Sequence, residues 1–227
     1  MYDDAERLAR EALQLRQSLS APPDDAIATL NANLAEALHW KNDYAEAERL
    51  YRESAGLLRQ LHPEGHPALG RTLSLLARVI FQSRSDIETA DSIYREALAV
   101  ERAVLGERHP DVAFTLEGLG ILARNRGQLD SAKAWYEQAL DIRLEMQGED
   151  HFDVATTLNN LAIIAGSSAR MEEAGQLFGR ALEIWRRVLG PHHPNMADGL
   201  NNVARLRWLT GDVDEAERLY REALDIR

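Results

Sequence analysis

Seven histidines and no cysteine bound the side-chain chemistry open to this chain of 227 residues. Four of the histidines, His66, His109, His151 and His193, recur at separations of 43, 42 and 42 residues. Packed helices lie about 8–10 Å apart, so equivalent side chains on successive helices do not meet around one ion, and this recurrence reads as structural. His62-Pro63-Glu64-Gly65-His66 has the spacing of a zinc-binding helix, but Pro and Gly inside it deny the helical i, i+4 face that the motif needs. The vicinal pair His192-His193 is a weak surface candidate at best. Gly118-Leu119-Gly120 lacks the strand–turn–helix context of a phosphate loop, and neither a P-loop nor a G-x-S-x-G elbow occurs. The absence of Cys excludes disulfides, zinc-thiolate sites and thiol nucleophiles. The expectation is a protein with no catalytic residue, no metal site and no cofactor.

Charge restricts the partners. Twenty-six basic residues against 37 acidic ones leave a formal net charge of -11. Lys41 and Lys133 are the only lysines, and the basic residues form no cluster. A nucleic-acid backbone or an anionic membrane surface would be repelled, so neither is expected as a partner. The segment Met1-Tyr2-Asp3-Asp4-Ala5-Glu6-Arg7 is acidic and carries no signal-peptide core. Apolar runs such as Ala162 to Gly166 are too short to span a bilayer. A soluble, cytoplasmic location is the expectation.

The elements that must position any site come from self-similarity, which covers the whole length. Segments beginning at Tyr2, Tyr44, Ile87, Leu129, Met171 and Val213 superimpose at separations of 42, 43, 42, 42 and 42 residues. Each has Ala at the fourth position: Ala5, Ala47, Ala90, Ala132, Ala174 and Ala216. Four residues on, five copies carry an aromatic, Tyr51, Tyr94, Tyr136, Phe178 and Tyr220, whereas the first has Ala9. Ala12, Ser54, Ala97, Ala139, Ala181 and Ala223 follow on the same helical face. A second helix is predicted in each unit from Leu73, Leu76, Ala77 and Ile80, from Leu116, Leu119, Gly120 and Ala123, and from Leu158, Leu161, Ala162 and Ala165. Gly106, Gly148 and Gly190 suit left-handed caps at helix ends. His109-Pro110 and His193-Pro194 put Pro at the start of the next helix. Asn42-Asp43, Gly127-Gln128 and Gly211-Asp212 mark the turn within each pair, and the extra residue of the 43-residue unit is expected in the turn Arg84-Ser85-Asp86.

These residues resemble the tetratricopeptide repeat, in the 42-residue variety of kinesin light chains. The resemblance rests on Leu158-Asn159-Asn160-Leu161-Ala162, Met171-Glu172-Glu173-Ala174, Leu177-Phe178, Ala181-Leu182 and Leu105-Gly106 with His109-Pro110. It implies an all-α, right-handed solenoid of stacked antiparallel helix pairs that binds peptides or proteins and does no catalysis. A bacterial source is expected, since such arrays occur in many bacterial proteins. One repeat domain over 1–227 is expected, with a half repeat at 1–23 and helix pairs at 24–65, 66–108, 109–150, 151–192 and 193–227.

In that family the helix carrying Leu-Asn-Asn-Leu-Ala lines the concave groove. The register then assigns to the groove Arg78, Arg124, Asn159, Asn160, Ile163, Asn201, Asn202, Arg205 and Trp208, together with Ser74, Leu75, Glu117 and Gly118. Two Asn in mid-helix cost stability. Their amides offer donors and an acceptor to an extended peptide backbone, or else they bridge neighbouring helices. The arginines could pair with ligand carboxylates, which favours an acidic partner, or with Glu117 and Asp198. The lysine-based clamp of the family's chaperone-tail binders is not expected, because Lys41 and Lys133 lie off that face. Leu219, Tyr220, Ala223 and Leu224 form an apolar stripe on the last helix, so head-to-tail self-association is an alternative. So is a regulatory segment of a larger signalling enzyme or receptor.

Overall fold

The protein, seen in a computed structural model, is described over residues 2–18 and 24–226. The end of the first half repeat at residue 23 and the closing Arg227 lie outside the described residues. Eleven helices and the turns between them make up the described chain: α1 (Tyr2–Ser18), α2 (Asp25–Trp40), α3 (Tyr44–Leu61), α4 (Pro67–Arg84), α5 (Ile87–Leu105), α6 (Pro110–Asn125), α7 (Leu129–Gln147), α8 (Phe152–Ser167), α9 (Met171–Leu189), α10 (Pro194–Leu209) and α11 (Val213–Asp225). The six repeat starts read from the sequence are the first residues of the odd-numbered helices. No helix among the described residues is long and apolar enough to cross a membrane.

Each helix has local reasons to start and stop. Asp24, Asp43 and Asp86 cap α2, α3 and α5 by accepting from the backbone N–H three residues on. The recurring histidines take the same role at the starts of α4, α6, α8 and α10, whereas α7, α9 and α11 start without a side-chain cap hydrogen bond. Nδ1 of His66, His109, His151 and His193 accepts from the backbone N–H of Ala68, Asp111, Asp153 and Asn195 at 3.1–3.2 Å. That role explains why a histidine recurs before each of these four helices. The glycine caps differ from the expected left-handed form. Gly106, Gly148 and Gly190 have φ of 81° to 85° with ψ of 167° to 172°, an extended mirror conformation that is essentially open only to Gly. The extra residue is taken up otherwise than expected: α4 has 18 residues where α2, α6, α8 and α10 have 16, and the turn after it is one residue shorter than theirs, so the helix lengthens and the turn does not.

The chain forms two compact units, Met1–Leu122 and Ala123–Arg227. In the first, α1 packs on α2, α2 on α3, α3 on α4, α4 on α5, and α2 on α4. Its core includes Ala28, Ala55, Leu58, Leu69, Leu73 and Ala97. In the second, α7 packs on α8, α8 on α9, α9 on α10, α10 on α11, and α8 on α10. There Val154, Leu158, Ile184, Trp185 and Met196 form one cluster and Leu200, Ala204, Leu219 and Ala223 another. The alternation of small and large residues read from the sequence is the packing itself: Ala47, Ala90, Ala132 and Ala174 have no exposed surface, and Tyr51, Tyr94, Tyr136 and Phe178 are buried beside them.

Candidate functional site

Repeat register fixes which side chains reach the surface of the even-numbered helices, and the neighbours decide what is left free. The residue twelve positions after the capping histidine is Arg78 in α4, Ile163 in α8 and Arg205 in α10. In the first unit Arg78 is half-buried and engaged. Its Nη2 lies 3.3 Å from Nδ1 of His39, and its guanidinium stands 5.5 Å from the centroid of the Phe114 ring. Arg71 covers the same ring at 4.3 Å and donates to Asp111 at 3.3 Å. His39 is buried, and its Nε2 donates to Oε1 of Gln82 at 2.5 Å. Burial, and then the positive charge of Arg78, push its pKa down, so it stays neutral beside the arginine.

Two further groove positions of the first unit are closed. Ser74 and Leu75 are buried, as are Glu117 and Gly118. The sequence expectation for these four is therefore corrected. Gly118 stands where α8 and α10 have Asn160 and Asn202, and its missing side chain admits the Tyr94 ring: a Cβ there would lie 2.3 Å from Cζ. Ser74 faces inward, sharing a hydrogen bond with Thr115 at 2.5 Å, while Thr115 donates to Oε2 of Glu101 at 2.7 Å. Glu101 has no exposed surface, and that burial pushes its pKa up to about 7.

The second unit leaves its face open. Asn202 Nδ2 donates to Asn159 Oδ1 at 3.0 Å, tying α10 to α8. That is the bridging role weighed from the sequence, and it occupies one amide hydrogen and one amide oxygen. Asn160 and Asn201 are half-buried and make no side-chain hydrogen bond among the described residues. Arg205 is exposed and has no ion pair or hydrogen bond among them. One turn further on, Trp208 is 60% exposed. Ile163 is half-covered, packed against the cluster of Ala162, Phe178 and Leu206. Arg124 lies in the last turn of α6, half-buried and likewise without an ion pair among the described residues. Beyond this face, a cleft of about 450 Å³ between α7, α8 and α9 is lined by Leu140, Leu161 and Leu177 and rimmed by Lys133, Glu137 and Arg170.

Two sequence readings are revised. The stripe on α11 is half closed, since Leu219 and Ala223 are buried against α10 while Tyr220 and Leu224 remain exposed. His62 and His66 do meet, although no helix carries them both. His62 ends α3, and a turn closed by Gly65 N–H donating to His62 O at 3.0 Å stacks the two rings at 4.4 Å. Spacing along a helix is the wrong criterion for this pair, because the turn supplies the convergence.

Together, repeated helix pairs packed through Ala and Tyr, with an Asn-bearing helix in each later pair, define a helical repeat protein. The tetratricopeptide repeat profile matches residues 25–100, 79–145 and 148–227, and the chain belongs to that family. BtubC (BKLC) from P. vanneervenii is similar at 22% identity and a TM-score of 0.80, over 100% of this chain and 91% of that one. A kinesin light chain protein of Podosopora anserina with nearly identical TPR-like repeats shares 20% identity at a TM-score of 0.70, over 89% and 96%. The Rap conjugation gene regulator of plasmid pLS20, solved with the Phr* peptide, is 14% identical with a TM-score of 0.71, over 88% of this chain and 53% of that one. No curated protein matches the sequence. The likenesses establish the fold, an all-α solenoid of the tetratricopeptide type.

Proposed function

We propose that this chain is a non-catalytic protein-binding module that holds an extended, acidic peptide segment on the α8–α10 face of its second unit. The observation that carries the reading is Arg205, an exposed guanidinium without a partner among the described residues, one turn before a Trp208 that is 60% exposed. Trp and Arg are among the residue types most enriched at binding hot spots. The guanidinium suits a carboxylate and the indole an apolar side chain. Asn160 and Asn201 supply amides for the ligand backbone, while Asn159 and Asn202 hold the helices in register. Ile163 adds apolar contact beneath the segment, and Arg124 is a further cation for an acidic ligand. Arg78 is assigned no ligand role, because His39 and Phe114 already occupy it. The Rap regulator's Phr* peptide, on a neighbour of the same fold, is consistent with peptide capture by such a face.

The test is selection from a random peptide display library on the wild type and on the variant Asn201→Ala, Arg205→Ala, Trp208→Ala. An enriched acidic consensus that disappears with the variant is expected. A folded wild type that enriches nothing would overturn the reading. A second reading, self-association, rests on the exposed Tyr220 and Leu224 of α11, the latter 73% exposed. It predicts a mass that grows with concentration in light scattering and falls to that of a monomer on Leu224→Glu.

A further inference from the structure

The turn between α3 and α4 gathers three groups of metal-ligating type from three separate stretches of chain. Asp25 comes from the first turn of α2, His62 from the end of α3, and His66 from the cap of α4. One ligand atom from each lies within 4.8 Å of both others. His62 Nε2 stands 2.6 Å from Asp25 Oδ1. The His62 and His66 rings stack at 4.4 Å with 23° between their planes. All three residues lie in the first unit.

The repeat shows how unusual this junction is. His66 has a histidine counterpart at every later junction, but the other two ligands do not. Four residues before the capping histidine, where His62 stands, the later repeats have Leu105, Gln147 and Leu189. At the first position of the even-numbered helices, where Asp25 stands, they have Pro67, Pro110, Phe152 and Pro194. Packing and capping work without a ligating residue at either position. Here both carry one, and the two side chains meet.

We propose that Asp25, His62 and His66 bind one divalent transition-metal cation of the zinc class. Two imidazoles and one carboxylate form the nitrogen–oxygen donor set that suits zinc, nickel, cobalt or copper, and calcium and magnesium far less. Zinc–ligand bonds of about 2.0–2.1 Å place tetrahedral donors about 3.4 Å apart, so His62 and Asp25, now 2.6 Å apart, need to part by under about an ångström, while His66 stays within reach of both. The turn at Pro63–Gly65 and the side-chain torsions supply that movement. Asp25 is exposed and both histidines are only half-buried, which leaves the fourth position open to water or an external ligand. The ion replaces the hydrogen bond between His62 and Asp25. It also removes the cap of α4, whichever nitrogen of His66 it takes. A neutral imidazole bound through Nε2 carries its proton on Nδ1 and can no longer accept from Ala68 N–H, and binding through Nδ1 uses the same lone pair. This cost sets an affinity below that of a closed structural site.

The test is calorimetric titration of zinc chloride into the full, tag-free chain in the His192→Gln background, which removes the vicinal surface pair. One ion per chain is expected. His62→Ala and Asp25→Asn each weaken it about tenfold or more. His66→Asn does the same while retaining a capping side chain, so circular dichroism shows an unchanged fold. His151→Asn, which alters a capping histidine that has no such neighbours, leaves zinc binding unchanged. The proposal is overturned by a wild type that takes up no zinc, or by uptake that is unaffected in both His62→Ala and His66→Asn.

Discussion

Arg78 in the first unit and Arg205 in the second occupy one register position, twelve residues after the capping histidines His66 and His193. They have different fates. The nitrogen of His39 and the Phe114 ring engage Arg78, whereas Arg205 projects beside Trp208 with no partner among the described residues. The position eight residues before the capping histidine tells a parallel story. Glu101 there is buried in the first unit and accepts from Thr115, six residues after its cap. Arg143 is buried in the second and donates to Thr157, at the same step, and to the Asp153 carbonyl. Repeat register decides where a side chain points. What it does depends on residues the repeat does not fix.

Several substitutions sharpen this comparison. The largest effect is expected at Glu101. Its folded-state pKa, raised to about 7 from an ordinary value near 4.5, means that the native state holds a proton which the unfolded chain has already released. Stability is lost as pH rises through that window and levels off above it, by about 3 kcal/mol in all. Urea unfolding of Glu101→Gln across pH 4 to 8 should lack this slope, so that its stability relative to the wild type improves with pH. An identical slope in both proteins would remove the raised pKa from the account.

Next in size is Gly118→Ala, which drives a methyl group into the buried Tyr94 ring and should destabilise by about 1–3 kcal/mol. Gly179 is the contrasting case, an exposed helical position in α9 where an added methyl group would meet nothing within 4 Å. The same change there should gain up to about 1 kcal/mol. Asn202→Ala breaks the bridge to Asn159 and should cost about 0.5–1.5 kcal/mol in chemical unfolding. The smallest effect belongs to Ala169, held at a φ of 59° in the α8–α9 turn. Ala169→Gly should stabilise by up to about 1 kcal/mol, offset by the entropy of the freer unfolded chain. A loss at Ala169→Gly would show that the turn is unstrained.

The helix starts are legible in the sequence because a 42-residue repeat multiplies a weak signal six times. Ala at the fourth position and the aromatic four residues later identify the packed face for the same reason. The site is only partly legible. Asn159 and Asn202 read equally well as ligand contacts or as bridges, and choosing between them needs the 3.0 Å distance between residues 43 apart in sequence. Arg78 looks as free as Arg205, because its partners His39 and Phe114 lie far from it along the chain. Register alone assigns Ser74, Leu75, Glu117 and Gly118 to the open face, but small neighbours and inward hydrogen bonds draw them into the interior. The meeting of His62 and His66 escapes a helical spacing rule, because a turn brings the two residues together.

On the proposed reading, an open Arg205 face, and not register alone, makes the binding surface. Fluorescence anisotropy of the selected acidic peptide against wild type, Arg205→Ala and Arg78→Ala tests it directly. Binding should weaken about tenfold or more in Arg205→Ala, equivalent to about 1.4 kcal/mol, and change within about twofold in Arg78→Ala. Equal losses in both variants, or an unaffected Arg205→Ala, would contradict it.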